Sequence, residues 1–286
     1  MTASKRTKTV LITGCSPGGI GHSLAVEFQS KGLQVLATAR TKEKISDLKA
    51  KGITTLALDV DSVESIAELK KDVERITSGK LDYLVNNAGR NYTVPATDID
   101  LSEVEATFRT NVFAVMIMCK TFAPLLIEAQ GTIVQIGSVA AVMPYVFGSV
   151  YNASKAALHQ YSNTLRLELK PFNVKVLTVV TGGVKSNIAR TERQLPADSI
   201  YLPIDTEYQR RTKHSQEVGM PNEQYAKGVV ASVLGAGKGR RHIWNGSSSW
   251  LVWFVTRFLP VWVFDLVFAR MFSLWKLNKT DQKKLA

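Results

Sequence analysis

Residues 9–28 read TVLITGCSPGGIGHSLAVEF. Thr9 to Thr13 form a short apolar run of strand-favouring residues that stops at Gly14. From Ile20 to Lys31 the apolar positions Leu24, Ala25 and Phe28 recur at helical spacing. A strand, a glycine-rich turn and a helix therefore follow one another directly. Glycines in such a turn let the backbone bend tightly and come close to a pyrophosphate. The helix N-terminus adds free N–H groups and the positive end of its dipole. A glycine turn alone is also an ordinary helix-entry loop, and its place directly after the first strand is what favours a dinucleotide. Gly14, Ser16 and Ile20 are the candidate contacts.

The alternation continues outward. Strand-like runs stand at 34–39, 54–58, 82–85, 132–136 and 174–180, with helical segments at 62–76, 102–128 and 150–170. Near-continuous apolar strands joined by helices predict an α/β fold: a doubly wound parallel sheet covered on both faces, a Rossmann fold. After Val180 the pattern breaks. Residues 187–220 are polar, with Arg190, Arg193, Arg210, Arg211 and Lys213, and read as a substrate lid or a mobile loop. A helix at 222–234 and a short strand at 242–244 return to the α/β style. The expected organisation is one domain over 1–249 and a hydrophobic, aromatic extension over 250–286 with a basic tail.

At 286 residues the chain can bury a large core. With 45% hydrophobic and 21% charged residues, neither disorder nor low-complexity assembly fits. The formal net charge of +12 favours anionic partners: phosphates, nucleic acid or an acidic membrane surface. The basic clusters match no nucleic-acid motif, so nucleic acid is not expected. Two cysteines, Cys15 and Cys119, exclude a disulfide framework. The first ten residues lack the apolar core of a signal peptide, and the chain reads as intracellular. Nothing in the reading calls for a metal.

Several residues at the carboxyl ends of the expected strands carry chemistry. Arg40 ends the second strand. A basic residue there suits the 2′-phosphate of NADP, where an acidic one would bind the ribose hydroxyl of NAD. Lys42 and Lys44 add positive potential, although a solvated surface arginine is the plain alternative. Asp59 follows the third strand and can accept from an adenine amino group. Asn86-Asn87-Ala88-Gly89 follows the fourth, where Asn87 can shape the wall beside an adenosine. Tyr151 and Lys155, four apart, share one helix face. A phenol near pKa 10 is a poor acid near neutrality, and a nearby ammonium stabilises its phenolate. Tyr151 can then protonate a carbonyl oxygen as hydride reaches the carbon. By itself Tyr-x-x-x-Lys is more often an exposed helix pair. Ser138, just past the fifth strand, can hold the substrate oxygen. Asn111 falls inside a long helix, where asparagine is disfavoured, and predicts a local distortion or a bound water.

Taken in order, TG…GIG, Asp59-Val60, Asn86-Asn87-Ala88-Gly89, Asn111, Ser138 and Tyr151-x-x-x-Lys155 resemble the short-chain dehydrogenase/reductase family over about residues 8–190. The resemblance implies that Tyr151 is the acid–base and that Lys155 lowers its pKa and binds the nicotinamide ribose. It also implies that Ser138 orients the substrate and that Asn111 holds a proton-relay water. It assigns Lys120 to NADP, as in some fungal members, and implies dimers or tetramers through helices beside the active site. Two departures stand out. Four residues, Cys15 to Gly18, separate the TG pair from GIG, where three are common. After the sixth strand, Thr181-Gly182-Gly183-Val184-Lys185-Ser186 replaces the usual Pro-Gly and later Thr. Val184 is expected to contact the carboxamide through its backbone and Ser186 to offer a hydroxyl.

Residues 250–275 read WLVWFVTRFLPVWVFDLVFARMFSLW. The run is long enough to cross a bilayer, but Arg257, Pro260, Asp265 and Arg270 interrupt it. Its tryptophans suit a headgroup interface, and Lys276, Lys279, Lys283 and Lys284 favour anionic lipid. A monotopic anchor or half-inserted hairpin is one reading, and a helix pair covering the substrate cleft or a dimer interface is the other. The glycine loop and the aromatic tail together are similar to fungal NADPH-dependent 1-acyl-dihydroxyacetone-phosphate reductases. That likeness implies ketone reduction on a lipid-like substrate at the endoplasmic reticulum or lipid-droplet surface. The alternative is a soluble cytoplasmic reductase of polyketide or terpenoid intermediates. A non-enzymatic nucleotide sensor is disfavoured by the intact Ser138, Tyr151 and Lys155.

Overall fold

The computed structural model describes residues 6–189, 193–237 and 239–278. In β1 (Thr9–Ile12) side chains alternate between two cores. Val10 and Ile12 pack with Leu24, Ala25 and Phe28 of α1 (Ile20–Ser30). Leu11 faces the opposite way, into a core shared with Leu36, Leu84 and Phe122. A strand buried on both faces has to be apolar throughout, so TVLI shows no polar alternation.

The chain continues through β2 (Gln34–Ala39), α2 (Ser46–Ala50), β3 (Thr54–Ala57), α3 (Val63–Thr77), β4 (Tyr83–Asn86) and α4 (Leu101–Phe108). Next come α5 (Ala114–Ala129), β5 (Thr132–Ile136), α6 (Ser149–Glu168) and β6 (Lys175–Thr181). The last elements labelled are α7 (Asp205–Val218), α8 (Asn222–Leu234), β7 (His242–Asn245), α9 (Ser249–Phe258) and α10 (Trp262–Met271). The seven strands pair in parallel in the order β3-β2-β1-β4-β5-β6-β7. The expected doubly wound sheet is therefore present. Its order reverses between β1 and β4, and a crevice opens there at the strands' carboxyl ends.

Three sequence expectations change. The helix expected over 102–128 is continuous from Leu101 to Ala129, but it widens into a π-helical turn over Arg109–Phe113 with Asn111 at its centre. This is the distortion the asparagine foretold. The run is apolar and long enough to cross a membrane, yet it buries Met118, Phe122 and Leu126 in the core under the sheet.

The 187–220 stretch is not an irregular loop throughout, because it contains the 14-residue α7. Its sequence, DTEYQRRTKHSQEV, lacks an apolar stripe, so no helical period was visible. Acidic Asp205 and Glu207 in its first turn suit the helix dipole, and Tyr208 anchors it, fully buried. Arg190 lies outside the described residues.

The aromatic tail breaks at Leu259 and Pro260 into two ten-residue helices. Each is about 15 Å long, half the thickness of a bilayer core, so neither can span one. Val252, Phe264, Phe268 and Phe272 pack with Phe147, Ile204 and Tyr208 in a third apolar cluster. Lys276 pairs with Glu207 at 2.9 Å, and Arg210 donates to the Met271 carbonyl, which staples the tail to α7. Lys279, Lys283 and Lys284 lie outside the described residues.

Candidate active site

A cleft of about 940 Å³ runs along the carboxyl edge of the sheet. At its cofactor end the β1–α1 turn forms a cradle. Gly14 has φ +72°, and a Cβ there would lie 3.0 Å from the Ala88 Cα. A side chain at Gly21 would strike the Asn87 amide and the Gly14 carbonyl. The N-cap of α1 is Gly19 in extended conformation, and no side chain caps the first turn. Its free N–H groups, with Ser16 and Ile20, face the cleft. A small-residue cradle at an uncapped helix N-terminus fits a dinucleotide pyrophosphate. Arg40, exposed, and Asp59 stand on the rim beyond it. Asp59 Oδ1 accepts from the Asp61 N–H at 3.1 Å, which shapes the β3 exit.

The cradle is held by two residues of the motifs, Thr13 and Asn87, and by two outside them, Asn187 and Asn222. Thr13 Oγ1 accepts from the N–H groups of both Asn87 and Ala88 at 2.9 Å. Asn87 Nδ2 donates to the carbonyls of Thr13 and Gly14, so this side chain locks the turn to β4 while the residue lines the cleft. The lengthened turn brings extra carbonyls. Asn187 Nδ2 donates to Pro17 O at 2.6 Å, and Asn222 Nδ2 to Gly18 O at 3.1 Å and to Lys185 O at 2.8 Å. Distant asparagines thus compensate for the added residue, which local spacing could not show.

At mid-cleft lie Ser138, Tyr151 and Lys155. Ser138 ends the β5 exit. Its N–H donates to His159 Nε2 at 3.2 Å, and its Oγ accepts from Ala140 N–H at 3.1 Å. Burial, with the Lys155 charge next, pushes the His159 pKa down to about 3, so this imidazole is a neutral prop. Tyr151 and Lys155 share one face of α6. Burial raises the Tyr151 pKa, and two groups work against it: the Ser138 hydroxyl and the charge of Arg211. Lys155 stands farther back, its Nζ 5.9 Å from the Tyr151 ring centroid and donating to Ile136 O at 2.9 Å. Burial lowers the Lys155 pKa to about 8. Two cations thus stand near the phenol: Lys155, over the Tyr151 ring, and Arg211, whose charge works against the rise.

Asn111 lies one layer behind the cleft lining. Its Oδ1 accepts from Arg90 N–H at 2.9 Å, while Nδ2 donates to Arg90 O at 2.9 Å and Ser154 Oγ at 3.0 Å. The π turn brings this amide to the β4 exit, where a Cβ at Gly89 would lie 3.1 Å from Asn111 Oδ1 and 3.8 Å from Lys155 Nζ. Val184 and Ser186 line the cleft from the β6 exit, and Gln216 Nε2 donates to Ser186 O at 2.6 Å. Lys120 is not brought to the site. It is exposed on α5 away from the cleft, because the opposite face of that helix packs Cys119 and Phe122 on the sheet.

The substrate end is aromatic and apolar. Tyr145 stacks beside Phe268 at 5.4 Å, and its hydroxyl shares a 2.8 Å hydrogen bond with His214 Nδ1. Val252 and Val255 of α9 and Phe264, Phe268 and Met271 of α10 form the far wall. The tail is thus a cleft wall on its inner side. Its outer side is bare, with Trp250, Phe258, Val261, Trp262 and Leu266 each more than half exposed.

A parallel sheet with a glycine cradle at its switch point, and Ser138, Tyr151 and Lys155 in the same cleft, fits a nucleotide-dependent oxidoreductase. Residues 8–196 match the family model described as short chain dehydrogenase. The chain is 44% identical over 273 residues to a short-chain dehydrogenase of Hypocrea virens, covering 95% of this chain and 94% of the relative. It is 42% identical over 240 residues to the NADPH-dependent 1-acyldihydroxyacetone phosphate reductase of Schizosaccharomyces pombe, covering 81% and 80%. A short-chain dehydrogenase crystal structure from Streptomyces avermitilis superposes with a TM-score of 0.78 at 26% identity, over 96% and 98% of the two chains. The protein belongs to the short-chain dehydrogenase family and is an oxidoreductase.

Proposed function

We propose that the protein reduces a ketone to a secondary alcohol with NADPH, on a lipid-like substrate such as 1-acyl-dihydroxyacetone phosphate. The observation that carries this reading is the position of Ser138 and Tyr151, where the dinucleotide cradle meets an apolar channel walled by α9 and α10. The cofactor is NADP(H). Arg40, on the cleft rim, would hold its 2′-phosphate, and the Schizosaccharomyces pombe relative is NADPH-dependent by name. When bound, reduced nicotinamide supplies hydride to the carbonyl carbon.

The chain's own residues do the rest. Ser138 Oγ orients the carbonyl oxygen, and Tyr151 gives that oxygen its phenolic proton. The Ser138 hydroxyl and the Arg211 charge favour the resulting phenolate. Lys155 holds a positive charge beside the nicotinamide ribose, anchored at Ile136 O. Asn111 keeps the π turn, Arg90 and Ser154 in register behind the trio, and in this reading it would hold the relay water. Val184 and Ser186, in the cleft lining at the β6 exit, would hold the carboxamide.

The bare outer face of α9 and α10, with Arg257 and Arg270 exposed, seats on an anionic lipid surface at the endoplasmic reticulum or a lipid droplet. An acyl chain then reaches the apolar channel from that surface. A second reading, a soluble reductase of ring ketones from polyketide or terpenoid pathways, is favoured by the aromatic lining of Tyr145, Phe264 and Phe268. Self-association through α5 and α6 is part of both readings and is measured by sedimentation velocity.

The test is NADPH oxidation with 1-acyl-dihydroxyacetone phosphate against uncharged ring ketones, alongside flotation with phosphatidylserine-containing vesicles. Flotation that is lost in Trp253→Ser/Phe258→Ser/Trp262→Ser supports the lipid reading. Preferred turnover of ring ketones by a protein that does not float moves the function to the second reading.

A further inference from the structure

Arg211 is a buried cation without a counter-ion. It is 9% exposed, and among the described residues no carboxylate pairs with it. Its guanidinium carbon lies 3.8 Å from the Tyr145 ring centroid, a cation–π contact. Its Nε donates to Val146 O at 3.3 Å. Among the described residues no hydrogen bond takes its two terminal nitrogens, and the side chain lines the cleft. The neighbouring arginine is committed elsewhere, since Arg193 pairs with Glu103 at 2.6 Å. Burial, followed by the Arg211 charge, lowers the pKa of His214, which shares the Tyr145 hydroxyl.

A desolvated guanidinium is costly unless an acceptor meets it, and its planar fork matches an oxyanion bidentately. Resting on the ketone-reducing reading above, we infer that Arg211 is the receptor for an oxyanion on the substrate, a carboxylate or a phosphate carried near the reducible carbonyl. Tyr145 holds the guanidinium in plane from one side, and the Val146 carbonyl fixes its rotation. The Arg211 side chain lines the cleft that also contains Ser138 and Tyr151, with Nη2 lying near Gly148 at the start of α6. Arg211 is therefore a specificity-determining residue. It selects anionic ketones over their neutral counterparts, and through its charge it also favours the Tyr151 phenolate.

The test separates binding from turnover. Calorimetry on the full-length protein, with and without NADP, compares 4-phenyl-2-oxobutanoate with its methyl ester, and dihydroxyacetone phosphate with dihydroxyacetone. The wild type binds the anionic member roughly ten- to a hundredfold more tightly, as one or two charge-assisted hydrogen bonds provide. Arg211→Met brings that ratio close to one. Lys213→Met, a charge removed from the exposed face of the same helix, preserves it. Arg211→Lys, which keeps charge but loses the fork, gives an intermediate ratio and serves if the methionine variant does not fold. The pair with the larger ratio tells carboxylate from phosphate. Equal affinities within both pairs for the wild type overturn the inference, as does a ratio that survives Arg211→Met. Selective anion binding without reduction of any ketone leaves Arg211 as the receptor and overturns the ketone-reducing reading instead.

Discussion

Lys155 Nζ donates to the main-chain carbonyl of Ile136 at 2.9 Å, which ties the charged end of α6 to the last residue of β5. The bond holds an ammonium in a site 4% exposed, where burial lowers its pKa from 10.5 to about 8. A functional cation is thus kept at a cost to the fold.

That cost has a pH signature. Between about pH 8 and 10.5 the unfolded chain binds a proton that the folded chain has released, so this residue's contribution to stability rises with pH across that window. Below pH 8 the penalty is complete, roughly 3 kcal/mol at 1.36 kcal/mol per unit. Lys155→Met should therefore be more stable than the wild type at pH 7 by about 2–3 kcal/mol, with the advantage fading toward pH 10.5, and should lose activity. Urea unfolding at pH 7, 9 and 10.5 measures it. A constant difference at all three values refutes the burial argument.

Tyr151→Phe removes the phenolic proton and leaves the cradle untouched. Turnover should fall about 10²–10⁴-fold, the usual worth of a general acid, while NADPH affinity stays within about twofold. Steady-state kinetics with a fluorescence titration of NADPH checks both. Retained turnover would falsify the proton-donor assignment.

Arg40 is exposed at the end of β2 and free to meet a phosphate on the rim. Arg40→Asp places a carboxylate against the 2′-phosphate. The preference for NADPH over NADH should drop by about ten- to a hundredfold, the worth of one charge-assisted bond. The ratio of kcat/KM values for the two cofactors decides it, and an unchanged ratio removes Arg40 as the reader.

Asn222 joins α8 to the glycine turn through Gly18 O and to the β6 exit through Lys185 O. Asn222→Ala should cost about 1–3 kcal/mol of stability. It should also weaken NADPH binding more than ketone binding, because it loosens the phosphate cradle alone. Thermal unfolding and calorimetry test this, and equal losses for both ligands would count against it.

Much of the fold was legible because each strand of a doubly wound sheet is apolar on both faces and each connection is a helix. TVLI, QVLATA and TIVQI announce themselves by composition. The site was legible where function depends on local chain geometry: a glycine turn at a helix start, a Tyr and a Lys one helical turn apart, an asparagine that spoils a helix. Helix α7 was not, because one buried tyrosine on a polar helix makes no period.

Sequence by itself determined the sheet, the dinucleotide turn and the Ser138, Tyr151 and Lys155 set. Only tertiary structure decided what surrounds them. It turned the Asn87 side chain inward to lock the glycine turn and left Lys120 on an outer helix face. It also folded the aromatic tail back as a cleft wall and brought Arg211, 60 residues beyond Tyr151, against the phenol's pocket without a counter-ion. Periodicity and spacing record contacts along the chain. A buried charge is defined by what faces it across space, and no local pattern encodes that.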